Sequence, residues 1–205
     1  MSTETDEFRT IRGPSGAETK VLGSRFIAGA YPIADEEAAE SRLRSLREEY
    51  HDATHHCHAY RLGIDGRRFR TSDDGEPVGT AGRPILAAIE KAMLTDVLVV
   101  VTRYFGGTKL GVGGLLRAYG GAADAALAAA AIFTKHITRS VDITFPHPLV
   151  GVVMHAIETA GGAVCDTRYD DLVHLRVEIR TSRVDEFCGI LRERTGGKAG
   201  IDVPE

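Results

Sequence analysis

Three segments of this 205-residue chain combine residue types that do chemistry. Asp73-Asp74-Gly75-Glu76 places three carboxylates within four residues, a set able to hold Mg²⁺ or to supply an acid and a base. A calcium loop is excluded, because the alternate oxygen ligands and the distal Glu are missing. The bland alternative is a solvated acidic turn. His51, His55, His56, Cys57 and His58 form the second segment and look like a metal site. On a strand, however, neighbours point to opposite faces, so His56 pairs with His58 and His55 with Cys57, and no ligand set converges. No CxxC or HExxH spacing accompanies them, so no metal centre is expected. Cys57 as a nucleophile with His55 or His56 as base lacks an orienting acid and an oxyanion loop.

The third segment is the run Arg103-Tyr104-Phe105-Gly106-Gly107-Thr108-Lys109-Leu110-Gly111, followed by Gly113 and Gly114. Glycine loses more entropy on folding than any other residue, so this density points to tight turns or close backbone approach around two cations. A P-loop would need Lys and then Ser or Thr after its last glycine, and that order is absent. A dinucleotide fingerprint starting at Gly111 would need a small residue where Leu116 stands, and no carboxylate follows at the right distance. What remains is an anion site built from a strand end, backbone N–H groups and a helix N-terminus, with Arg103, Lys109 and Arg117 near. The competing reading is a tight turn with incidental cations.

The elements that must carry these segments follow from periodicity. Lys20 to Ala30 reads as a strand, and Asp35 opens a helix with Ala39, Leu43, Leu46 and Tyr50 on one face. Glu40 and Arg44 stand four apart on its charged face, which reads as solvated. His58 to Leu62 and Arg67 to Thr71 flank Gly63-Ile64-Asp65-Gly66 as a hairpin. Pro84 starts a helix reaching about Met93, Val97 to Val101 is a central strand, and Leu115 to Ala131 is a long helix. Gly120 and Gly121 interrupt that helix, and a close helix-to-sheet contact is expected there. From Arg139 the order is strand, helix, strand, strand, helix, with a final edge strand over Ala199 to Val203: the βαββαβ, ferredoxin-like arrangement. Ser182 with Asp185 resembles a capping box. The domain reading is residues 1–17 as a mobile or loosely attached start, 18–135 as an N-terminal domain and 136–205 as a C-terminal one.

With 43% hydrophobic and 26% charged residues, the composition is that of a soluble globular protein, and no apolar stretch reaches the ~20 residues of a membrane helix. The start lacks a basic, then apolar, secretory pattern, and Cys57, Cys165 and Cys188 cannot pair completely, so the expected location is the cytoplasm. The net charge of -4 argues against indiscriminate nucleic-acid binding. It conceals a local excess: Arg61 to Gly121 holds nine Lys or Arg against six Asp or Glu.

Four ordered blocks, Ser24-Arg25-Phe26-Ile27, Thr54-His55-His56-Cys57-His58-Ala59-Tyr60-Arg61, Ser72 to Pro84, and Arg103 to Gly111, resemble the bacterial members of the IMPACT family. The resemblance spans about residues 20–131. It implies an α+β protein: an N-terminal two-layer α/β domain with the ribosomal-protein-like fold of elongation factor G domain IV, and a ferredoxin-like C-terminal domain resembling that factor's domain V. Both contact ribosomal RNA in the factor. Eukaryotic members restrain the general-control kinase by competing for its activator, but with a different domain set; for bacterial members the resemblance implies a nucleic-acid or ribosome-linked role. His56 stands where the family block has Asn.

The function expected from sequence is a translation-associated regulatory protein that binds the ribosome or RNA. Its surface would comprise Arg61, Arg83, Arg103, Tyr104, Gly106, Gly107, Lys109 and Arg117. One alternative is a protein-binding module without nucleic-acid contact. The other is a hydrolase-type enzyme for an anionic small molecule, using His55, Asp73, Asp74 and Glu76, with no resident cofactor unless Mg²⁺ joins those acids.

Overall fold

The computed structural model describes residues 6–204. The chain forms two compact units, one of residues 8–135 and one of residues 136–204, to which Asp6 and Glu7 also belong. The elements through the first unit are β1 (Glu7–Ile11), β2 (Ser15–Val21), β3 (Ser24–Pro32), α1 (Glu36–Glu49), β4 (His55–Leu62), β5 (Arg68–Ser72), α2 (Gly82–Lys91), β6 (Val97–Tyr104), α3 (Gly111–Ala128) and β7 (Ile132–His136). Strands β2-β3-β6-β4-β5 make an antiparallel five-stranded sheet with β6 at its centre.

Val97, Val99 and Val101 of β6 pack with α2 and α3, whereas Leu98 and Val100 pack with Ala39, Leu43 and Leu46 of α1. The sheet is therefore covered on both faces, and the domain has three layers rather than the two expected. An apolar run without alternation requires this, since a solvated face would expose every second valine. Asp35 starts α1 by accepting the Ala38 N–H at 2.8 Å.

Residues 7–21, read in sequence largely as a loose start, instead form β1 and β2. Strand β1 pairs with β7 in a two-stranded sheet, and Ile11 is buried in the core. These partners lie more than a hundred residues apart, so no local pattern announces them. Residues 1–5 of that start fall outside the described residues. Helix α3 begins a turn earlier than its alanine content indicates, so Gly113 and Gly114 are helical and Gly111 opens the helix with a positive φ of 68°. The expected helix-to-sheet approach at Gly120 and Gly121 is not formed. A Cβ on Gly120 would meet Pro84 of α2 at 3.7 Å, and one on Gly121 would meet nothing within 4 Å.

The second unit contains β8 (Thr138–Phe145), α4 (Val150–Ala160), β9 (Ala163–Tyr169), β10 (Val173–Arg180), α5 (Val184–Arg194) and β11 (Gly200–Asp202), in the sheet order β11-β8-β10-β9. This is the βαββαβ arrangement read from the sequence. Its core is Val141, Ile143, Phe145, Val177, Ile179 and Phe187 with their neighbours. Ser182 makes no capping box: a short 3₁₀ turn precedes α5, and the Ser182 hydroxyl donates to the Asp6 carboxylate.

Candidate functional site

The acidic loop is built around Asp73. Its Oδ1 accepts the Ala81 and Gly82 N–H groups at 2.9 and 2.8 Å, and its Oδ2 accepts Gly79 N–H at 2.7 Å. Helix α2 has no cap from its own N-cap residue, so Asp73 satisfies its first donors from across the loop. Burial acts to raise the Asp73 carboxyl, but the three backbone donors outweigh it and hold the group below the ordinary carboxylate range. Gly82 permits this closure, because a Cβ there would lie 2.8 Å from the Ser72 backbone nitrogen.

Asp74 turns the other way. Its carboxylate accepts His56 N–H at 2.6 Å and the Arg47 guanidinium at 3.0 Å, and its carbonyl lies 2.8 Å from His55 Nδ1. A carbonyl only accepts, so His55 carries its proton on Nδ1. The Cys57 thiol donates to the Asp73 carbonyl at 3.0 Å. Burial pushes that thiol up to about 12, which keeps it protonated and poorly nucleophilic.

These bonds turn Glu76 inward, where its side chain is 4% exposed. Its Oε1 accepts from Arg103 Nη1 and, at 2.7 Å, from the Tyr119 hydroxyl, while His55 Nε2 lies 3.7 Å away. Burial, with Cys57 and Glu76 beside it, raises the Tyr119 phenol. Arg103 Nη2 donates to Ser24 Oγ at 3.1 Å, and the same oxygen accepts Gly106 N–H at 3.2 Å. The Arg103 guanidinium lies between Phe26 and Phe105, at 5.4 and 5.5 Å from their ring centres. All four sequence blocks thus meet at one buried polar cluster. Register explains it: Phe26 on β3 and His55 on β4 flank Arg103 on β6.

The surface expected from sequence is divided by this arrangement. Arg103 is 4% exposed and faces Glu76, so it holds the loop from below instead of meeting an outside phosphate. Arg61 bonds the Gly66 and Leu94 carbonyls at the other end of β4, away from the glycine loop. Lys109, Arg117 and Arg83 are exposed, and Arg117 and Lys109 make no ion pair among the described residues. Gly107 is exposed, and Gly106 lies against the β2–β3 turn, where a Cβ would collide with the Gly23 carbonyl group. Tyr104 donates its hydroxyl to Asp52 at 2.8 Å, and Arg25 lies over its ring at 5.8 Å.

Asp73, Asp74 and Glu76 face three different sets of protein donors, and no group of three metal-ligating side chains forms among the described residues. His55 is in reach of this turn, whereas Lys109 makes no hydrogen bond or ion pair with it. Tyr119 is the member that sequence reasoning passed over, and Ser24 enters it only as part of a family block. The only trace of Tyr119 is a large polar aromatic inside an alanine-rich helix.

The chain as a whole has relatives among known proteins. The sequence matches the Impact N-terminal domain over residues 22–127 and a domain of unknown function, DUF1949, over residues 143–198. It is 36% identical to the IMPACT family member YigZ of Escherichia coli (strain K12) over 183 residues, covering 87% of this chain and 88% of that one. It is 30% identical to the IMPACT family member YvyE of Bacillus subtilis (strain 168) over 196 residues, 96% of this chain and 90% of the relative. A solved structure titled as a hypothetical protein superposes with a TM-score of 0.70 at 31% identity, covering 98% of both chains.

Proposed function

The chain belongs to the IMPACT family, and on that premise we propose that it is a translation-associated regulatory protein that binds ribosomal or other RNA through the rim of its glycine loop. The observation that carries the reading is the run Phe105 to Gly113, exposed except at Leu110, cationic at Lys109 and flanked by Arg117. It sits on the buried Glu76–Arg103–Ser24 cluster. A loop tied from beneath meets a polyanion without a large ordering cost, because its conformation is already selected. Lys109 and Arg117 provide phosphate contacts, the first-turn N–H groups of α3 add donors, and the exposed Phe105 ring offers a stacking face. Arg103 and Arg61 have no place in that surface. The hydrolase-type alternative has less support, since the carboxylates of Asp73, Asp74 and Glu76 are all engaged by protein donors.

Co-sedimentation with ribosomes across a salt series tests this. Binding should weaken as salt rises, and Lys109→Ala with Arg117→Ala should reduce the slope of log K against log salt by about 0.7–0.9 for each phosphate no longer neutralised. Absence of binding at low salt, or an unchanged slope in the double variant, rejects the reading.

A further inference from the structure

A groove of about 350 Å³ runs between α1 and the β4–β5 hairpin, on the sheet face opposite Glu76 and Arg103. Its walls are set by two periodicities. Glu40, Leu43, Arg44 and Arg47 recur on one side of α1, and the register pairs Tyr60 with Arg70 and His58 with Ser72 on the strands below. Three guanidinium groups thereby line a cavity with one carboxylate, Glu40.

The favourable i, i+4 order of Glu40 and Arg44 does not become an ion pair. Glu40 stands four residues before Arg44, yet its ion pair is with Arg70 across the groove, at 3.6 Å, beyond hydrogen-bonding distance. Arg44 has no ion pair among the described residues. Arg47 is shared with Asp74, outside the groove. Beneath the arginines lies His58, 7% exposed, with Nδ1 at 3.3 Å from the His56 carbonyl. Burial first, aided by the charges of Arg47 and Arg70, pushes its imidazole below the ordinary histidine range, against the bond to the His56 carbonyl and the carboxylate of Asp74. His58 is therefore a neutral ring at the floor of the groove, one that a bound dianion would induce to take up a proton.

We propose that this groove binds a phosphate monoester dianion, held by Arg44, Arg47 and Arg70 above His58. Arginine suits the task because its planar fork gives paired donors to phosphate oxygens. The Ser72 hydroxyl adds a donor at the groove floor. Glu40 occupies the anion's place in the free protein and gives way when the ligand enters. This site is independent of the glycine loop, so neither reading falls with the other.

NMR titration of the full chain tests it, with inorganic phosphate and 5′-AMP as probes and chloride at matched ionic strength as the screening control. Saturable shifts of His58 and of the Arg44 and Arg70 side chains are expected, with a His58 pKa that rises on saturation. Tighter binding of 5′-AMP than of phosphate assigns the site to an organic monoester; equal binding assigns it to the free anion. Arg44→Ala with Arg70→Ala should weaken binding at least tenfold, and Glu40→Gln should tighten it. The proposal is overturned by no saturable shift at millimolar probe, by shifts that chloride reproduces, or by a Glu40→Gln variant that binds more weakly while its spectrum remains that of the folded protein.

Discussion

Glu76 and Arg103 are the residues whose meaning changes most between chain and fold. In sequence each is a charged residue beside glycines, and charge ordinarily signals solvent. In the structure the pair is buried, with Tyr119 donating to Glu76 and Arg103 donating to Ser24, while Arg103 Nε has no hydrogen-bond partner among the described residues. Removing one partner strands the other charge. Glu76→Gln should therefore lower the unfolding free energy by about 3–5 kcal/mol, read from urea denaturation. Glu76→Leu with Arg103→Met should cost less than the two single changes summed, because no charge is left behind. A Glu76→Gln variant within about 1 kcal/mol of the parent would show that the pair is not isolated from water. Nothing in the spacing of two residues 27 positions apart marks them as partners, whereas the Asp-Gly of the β4–β5 connection declared itself locally.

At the level of elements, the glycines divide by what surrounds them. Gly106 approaches the backbone of the β2–β3 turn, which cannot swing aside as a side chain would. Gly106→Ala should cost about 1–3 kcal/mol and release the loop, seen as faster amide exchange from Phe105 to Lys109. Gly121 lies inside α3 with open space around it, so Gly121→Ala should stabilise the protein by about 1 kcal/mol in the same urea assay. A loss in place of that gain would mean that the helix bends where it now runs through. Both glycines look alike in sequence, since an entropy cost is visible there but the neighbour that justifies it is not. Helix α1 shows the same division: its apolar face was legible, but the sheet face it covers was not.

Over the whole molecule, the buried titratable groups set a pH range for stability. Burial pushes His56 and His58 below the ordinary value of 6.5, so both are neutral when folded and take up protons more readily when unfolded. Their contribution is present above 6.5 and is lost as pH falls through their lowered folded values. Cys57, raised from 9.0 to about 12, works from the other side: its contribution is present below 9 and is lost as pH rises toward 12. The urea midpoint should be highest between about pH 7 and 9 and fall toward pH 5. His56→Asn should flatten the acid limb, and an unchanged limb would remove His56 as a contributor.

Local pattern was enough for the hairpin, the βαββαβ run and the four blocks that mark the family. Periods of 2 and 3.6 residues and the dihedral needs of glycine and proline are properties of short stretches of backbone, and short stretches are what a chain of letters displays. The folded arrangement was needed to establish that α1 closes the second face of the sheet, that β1 finds β7, that Arg61 stands at the wrong end of β4, and that Arg103 belongs to Glu76. Each of these depends on strand register between distant segments. A one-residue change of register would turn Arg103 from the α3 face to the α1 face and leave every local pattern unchanged.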